Sequence, residues 1–216
     1  GKEIAIAVKA GGPDPNTNAR LRMVIQNSKA VNMPKERVDS AIQKAAGKAD
    51  ATNYHEMVYE CKGPGGVTIV VETATDNPTR TIANLRVYFS RHNGEVGKSG
   101  SSDYIFDRKG VFRINTKGIN LEDLELEGID FGLESIEPGD DNDALVYCLF
   151  PDFGGLQKFL EEKKIEVIEA KLTRLANSFV ALTPDQLADF NKMLEKIEED
   201  EDVQEVYHNL QESEEE

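Results

Sequence analysis

Apolar positions recur at helical spacing through the first fifty residues. Leu21, Val24, Ile25 and Ser28 fall at i, i+3, i+4 and i+7 behind Asn18, a residue suited to cap a helix from Ala19, while Arg22, Gln26 and Lys29 line one flank. That helix should stop near Asn32. Pro34 suits the first position of a second helix that turns Val38, Ala41, Ile42 and Ala45 inward, carries Arg37 and Lys44 on its outer face, and ends at Gly47. The run Ile4, Ala5, Ile6, Ala7, Val8 before Gly11 and Gly12 reads as the tail of a third helix.

From Tyr54 the period changes to that of strands. Met57, Val58, Tyr59 and Cys61, the breaker at 63–66 and the apolar run 67–74 predict a β-hairpin. Asn77 and Pro78 start a helix with a stripe of Ile82, Leu85 and Phe89, closed by Asn93 and Gly94. A glycine-rich loop to Ser102 leads into two strands between which Asp107 to Gly110 is expected to turn. Strand 145–150, helix 152–163 burying Leu156, Phe159 and Leu160, and strand 165–175 form one β-α-β unit. Strand 179–182, a helix opened by the capping box Thr183, Pro184, Asp185, Gln186 with the stripe Leu187, Phe190, Leu194, Ile197, and strand 203–207 form another, and 67–106 a third.

These units predict an α+β multidomain fold: a small all-α N-terminal domain, then two ferredoxin-like α+β domains. Three units leave one without a partner. The first is therefore paired with the last, giving a helical domain at 1–50, an α+β domain at 51–115 plus 178–210, an inserted α+β domain at 116–177 with a helix near Leu121 and a strand near Glu134, and an acidic tail at 211–216. Sequential domains without insertion fit the same pattern.

Charge separates the ends of the chain. Residues 1–48 hold nine Lys or Arg against four Asp or Glu, a balance of +5, so the remainder carries −20 within a total of −15. Such a reversal points the basic end towards a polyanion, with Lys9, Arg20, Arg22, Lys29, Lys35, Arg37, Lys44 and Lys48 as the nucleic-acid-binding candidates. An ordinary helical cluster with solvated Lys and Arg would share part of this pattern. Between Leu121 and Asp143 ten acids and no base make a surface that repels phosphate. No apolar run approaches the roughly 20 residues of a membrane span. Position 1 is Gly rather than Met and the first helix is expected to begin before it, so a longer N-terminus is expected upstream. Cys61 and Cys148, in strand-like runs, read as buried free thiols of a reducing compartment.

Several strings stand in a telling order: IAVKAGGPDP (6–15), NMPK (32–35), YECKGPGG (59–66), TDNPTRT (75–81), FDRKGV (106–111) and VQEVYHN (203–209). Together they resemble the YebC/PmpR family across essentially the whole chain. The resemblance implies three domains, one helical and two α+β, and a DNA-binding transcriptional regulator; some members, including a mitochondrial translational activator, act in translation. The family's very basic first segment, with its Ser-Lys-Trp, has no counterpart here.

Catalytic patterns fail on spacing. Gly97–Lys98–Ser99 has His92 where a phosphate loop needs glycine, His55–Glu56 has Tyr59 where a zinc protease needs histidine, and 140–143 has neither glycine nor distal glutamate of a calcium loop. His55, His92 and His208 stand far apart and meet no Cys pair. The sequence thus predicts no catalytic, metal or cofactor site and no small-molecule substrate. The expectation is a cytoplasmic, non-enzymatic regulator touching DNA, with ribosomal RNA, and ribosomal or other proteins met by the acidic domains, in the alternative of a ribosome-associated translation factor. A protein-interaction module is the third reading.

Overall fold

Three short helices open the chain in the computed structural model, which describes residues 1–47 and 53–212: α1 (Lys2–Gly11), α2 (Ala19–Ala30) and α3 (Lys35–Ala46). Asn18 Oδ1 accepts from the Leu21 amide at 3.0 Å while its Nδ2 donates to the Ala7 and Gly12 carbonyls at 2.8 and 2.9 Å. One buried amide therefore starts α2 and ties it to α1. Ile4, Ala7, Val8, Leu21, Val24 and Val38 form the helical core. Pro34 precedes α3 instead of opening it, and Ala41, Ile42 and Ala45 are only half-buried.

There follow β1 (His55–Lys62), β2 (Thr68–Thr75), α4 (Pro78–Ser90), β3 (Glu95–Val96), β4 (Phe106–Asn115), α5 (Leu121–Gly128), β5 (Leu133–Pro138), β6 (Asp143–Leu149), α6 (Phe153–Glu162), β7 (Val167–Ala176), α7 (Pro184–Glu199) and β8 (Val203–His208). They build two four-stranded sheets, ordered β3-β1-β2-β8 and β5-β6-β4-β7. The chain is thus α+β and multidomain. By contacts it divides into two units, Gly1–Thr52 with Arg108–Thr173 and Asn53–Asp107 with Arg174–Glu216.

In the unit of the first sheet, Ile69 and Val71 of β2 pack with Leu85 and Phe89 of α4 and with Phe190, Met193 and Ile197 of α7. Val70, on the opposite face of β2, packs with Ile105, Phe106 and Tyr207. This burial on both faces explains the unbroken apolar run of the strand. The capping box of α7 is present, with Thr183 Oγ1 accepting from the Gln186 amide at 3.3 Å and Gln186 Oε1 accepting from the Thr183 amide at 3.0 Å. Asp202, 5 % exposed, accepts from Arg80 Nη2 at 2.6 Å and Thr81 Oγ1 at 2.8 Å, fastening the start of α4 to the segment before β8. Burial pushes its carboxyl up, yet the hydrogen bonds from Arg80, Thr81 and Thr75 outweigh that and hold it below its ordinary value. The expected strand at 179–182 shrinks to a single bridge between Val180 and Leu210, because the extended run ends at once in the Thr183 cap.

In the unit of the second sheet, Phe112, Ile114, Val146 and Cys148 meet Phe153, Leu156 and Leu160 of α6. The turn expected at Asp107 to Gly110 does not form. β4 runs straight through it, with Lys109 opposite Leu149 and Gly110 opposite Cys148. Gly110 serves close approach: a Cβ there would stand 2.7 Å from Cys148 Sγ and 2.9 Å from Phe153 Cδ2.

Two predictions follow from this packing. Gly110→Ala should destabilise the chain by about 1–3 kcal/mol in urea unfolding, through overpacking against Cys148 and Phe153. Asp202 stays charged to lower pH when folded than when unfolded, so its stabilisation is complete above the ordinary carboxylate range and is lost as pH falls below about 4. Asp202→Asn should lower stability at neutral pH and flatten the acid limb of the stability profile; an unchanged acid limb would remove Asp202 from that account.

Candidate nucleic-acid interface

The second sheet leaves β7 at its edge, with backbone groups that need partners. α2 supplies them. Gln26 Nε2 donates to the Val167 carbonyl at 2.7 Å, Asn27 Nδ2 donates to the Ala170 carbonyl at 2.8 Å, and the Ala170 amide donates to Asn27 Oδ1 at 2.9 Å. Arg22 works on the same flank. Its Nη1 donates to the Pro15 carbonyl at 3.1 Å, its Nη2 to Gln157 Oε1 at 2.7 Å, and its Nε lies 3.2 Å from Glu161 Oε1 as an ion pair. The Nε–H makes no hydrogen bond, so that contact is one of charge alone. Gln157, itself buried, donates to the Ala19 carbonyl at 3.4 Å. Of the flank Arg22, Gln26 and Lys29, the first two are thereby spent on α6 and β7.

Position along α2 separates Lys29 from Arg22, which points to the same side of the helix about 10 Å away. Lys29, in the last turn of α2, is exposed, and so are Lys35, Arg37 and Lys44 of α3. Asn32, at φ 57, carries the chain round between the helices, and the Met33 amide donates to the Ser28 carbonyl at 2.9 Å. Lys29 and Lys35 therefore flank one turn. Arg37 and Lys44, seven residues apart, differ by only about 20° around α3 and lie about 10 Å apart along it, with Ser40 between. Glu36 and Asp39 lie about 100° and 160° round the helix from Arg37, with Asp39 one turn on from Lys35, so Arg37 and Lys44 form the basic edge of α3. Lys9 is exposed and Arg20 half-buried, and both are engaged by neighbouring groups. Lys48 lies outside the described residues.

Outside this end, polar groups are turned inward. Glu60, buried on β1, accepts from the Ser102 amide at 3.0 Å, from Ser102 Oγ and from the Gly100 amide. Burial pushes its carboxyl up, but these donors outweigh that and hold it below its usual value. The glycine loop at 97–102 is consequently shaped around the chain's own carboxylate, a role that spacing alone did not signal. A cleft of about 460 Å³ is lined by Tyr88, Arg91, His92, Lys196, Glu199 and Asp200. Tyr88 donates to Asp200 at 2.7 Å and His92 Nδ1 lies 2.6 Å from Asp189, so much of its polarity is internally matched. Cys61 and Cys148 are buried free thiols pushed up by burial to about 12 and about 11. Among the described residues, no cluster of three or more His, Cys, Asp or Glu is arranged to hold a metal ion, and no helix is long and apolar enough to cross a membrane.

Comparison with known proteins covers the whole of this architecture. Residues 1–48 match the family model described as "TACO1/YebC protein N-terminal domain", and residues 54–210 match "TACO1/YebC second and third domain". A protein of Parabacteroides distasonis named "Probable transcriptional regulatory protein" is 50% identical over 98% of this chain and 87% of its own length. A protein of Myxococcus xanthus with the same name is 44% identical over 97% and 88%. The crystal structure of a conserved hypothetical protein from Aquifex aeolicus is similar with a TM-score of 0.81 at 34% identity, covering 99% of this chain and 88% of that one.

The two kinds of arginine should separate experimentally. Arg22→Ala should cost about 2 kcal/mol or more in denaturant unfolding, since it removes charged hydrogen bonds and leaves Gln157 short of a partner. Arg37→Ala, on an exposed face, should stay within about 0.5 kcal/mol of the parent.

Proposed function

Because the chain belongs to the TACO1/YebC family, we propose that it is a non-enzymatic regulator of gene expression that binds DNA through its helical end, in keeping with the transcriptional name its relatives carry. One observation carries this reading: Lys29 and Lys35 stand exposed at the turn between α2 and α3, and Arg37 and Lys44 stand exposed along α3, on a segment of charge +5 in a chain of −15. A polyanion is drawn to that end and repelled from the rest. α3 also presents Gln43 beside its cations, side chains of the types that reach base edges in a major groove.

The −20 remainder supports a second reading, a translation factor on the ribosome. Folded RNA needs shape fit and phosphate contacts, and acidic domains rest favourably against basic proteins, whereas beside a long bare duplex they are repelled.

The test is a parallel one at near-physiological salt: retardation of duplex DNA with and without non-specific competitor, and co-sedimentation with ribosomes. A specificity ratio of about a thousand or more on one sequence establishes the transcriptional reading; stoichiometric ribosome association with competitor-sensitive DNA binding overturns it in favour of translation. In either case the triple change Lys29→Glu, Arg37→Glu, Lys44→Glu should abolish binding, and the parent's log–log salt slope should be about −3 to −4 for some four neutralised phosphates. Undiminished binding by the triple variant would remove the helical end as the contact.

A further inference from the structure

The outer face of α5 holds an arrangement that fold stability does not explain. Leu124 and Gly128 of this helix are buried, while Leu126 and Ile129, the latter opening the 3-10 turn Ile129–Phe131 that continues α5 and also carries Asp130, are 70 % and 57 % exposed. Spaced by three residues, these two aliphatic side chains lie side by side on the same face. Single exposed apolar residues are ordinary, but here two adjoin within a rim of exposed acids: Glu122, Asp123, Glu125 and Asp130. Other acids of the same stretch are matched, Glu127 with Lys163, Glu134 with Lys109 and Asp143 with Arg113. Among the described residues, no ion pair reaches the four on the rim. Glu122 and Asp123 suit the positive first turn of the helix, where Asn120 Oδ1 caps the Asp123 amide at 3.2 Å. Glu125, past the first turn, and Asp130, in the turn beyond the C-terminus of α5, gain nothing from that end of the dipole. The face is held firmly from behind, with Phe131 stacked on Phe159 at a centroid distance of 4.8 Å.

We propose that this face of α5 is a docking surface for a lysine- and arginine-rich amphipathic segment of a partner protein. Leu126 and Ile129 would take its apolar side chains, and Glu122, Asp123, Glu125 and Asp130 its cations. Charge complementarity selects this occupant, for the rim repels nucleic acid and any acidic chain. The inference stands apart from the nucleic-acid reading, because its test contains no nucleic acid.

The probe is a synthetic peptide of about 18 residues, lysine-rich with leucines at helical spacing, alongside a version with serine in place of every leucine. Backbone amide shifts of the isotope-labelled full chain locate the contact, and titration gives the affinity. The expected result is shifts centred on residues 121–131, with binding about tenfold weaker or worse for the serine peptide, for Leu126→Ser with Ile129→Ser, and for Glu122→Gln with Glu125→Gln and Asp130→Asn. All these positions are exposed, so the variants should keep the parent's melting temperature. Shifts spread over the acids of α7, or an affinity that the Leu126 and Ile129 changes do not move, would overturn the proposal. So would concentration-dependent dimerisation abolished by the same two changes, which makes a second copy of the chain the occupant.

Discussion

An edge strand with unmet backbone groups sets the constraint on which the basic end of the molecule depends. Water or another chain would otherwise pair with β7. Instead, two amide side chains of α2 imitate a neighbouring strand, with Asn27 both donating to and accepting from Ala170. Because Gln26, Asn27 and Arg22 leave α2 on one flank, their bonds fix the rotation of the helix about its axis, and with it the identity of the side chains that meet solvent. Lys29 and the cations of α3 are thus held on a fixed surface rather than on an arm that must be ordered at the moment of contact. Less conformational freedom is then lost when a phosphate backbone binds.

Local signals were legible in the sequence, and nonlocal ones were not. Asn18, Asn77 and Thr183 announce helix starts through side chains that reach amides three residues on, and all three do so in the fold. The exposed positions of Lys35, Arg37 and Lys44 follow from the same periodicity that buries Val38 on α3. Arg22 looks identical to them in a window of one helix. Its partner Gln157 is 135 residues away, and no local pattern encodes that separation. Gly110 misled for the same reason: beside Asp107 and Lys109 it resembles a turn residue, while its actual cause is the closeness of Cys148 and Phe153.

Charge within the body is sorted by depth. Glu60 and Asp202, both buried, are surrounded by donors that hold their carboxyls below the ordinary value. They act as fixed internal anions around which the loop at 97–102 and the start of α4 are shaped. The acids of α5 remain in water and give that surface its sign. The first group explains structure; the second governs which partners can approach.

The two deep thiols have a practical consequence for anyone handling the protein. With values near 12 and 11, Cys61 and Cys148 stay protonated at neutral pH and are shielded from alkylating reagents by burial. These 216 residues are therefore close to chemically silent towards maleimides, and they contain no tryptophan. A cysteine introduced on the outer face of α3 would become a uniquely reactive anchor for a dye, and a tryptophan placed on the outer face of α5 would fluoresce against an empty background, so the two faces can be watched separately in the same molecule.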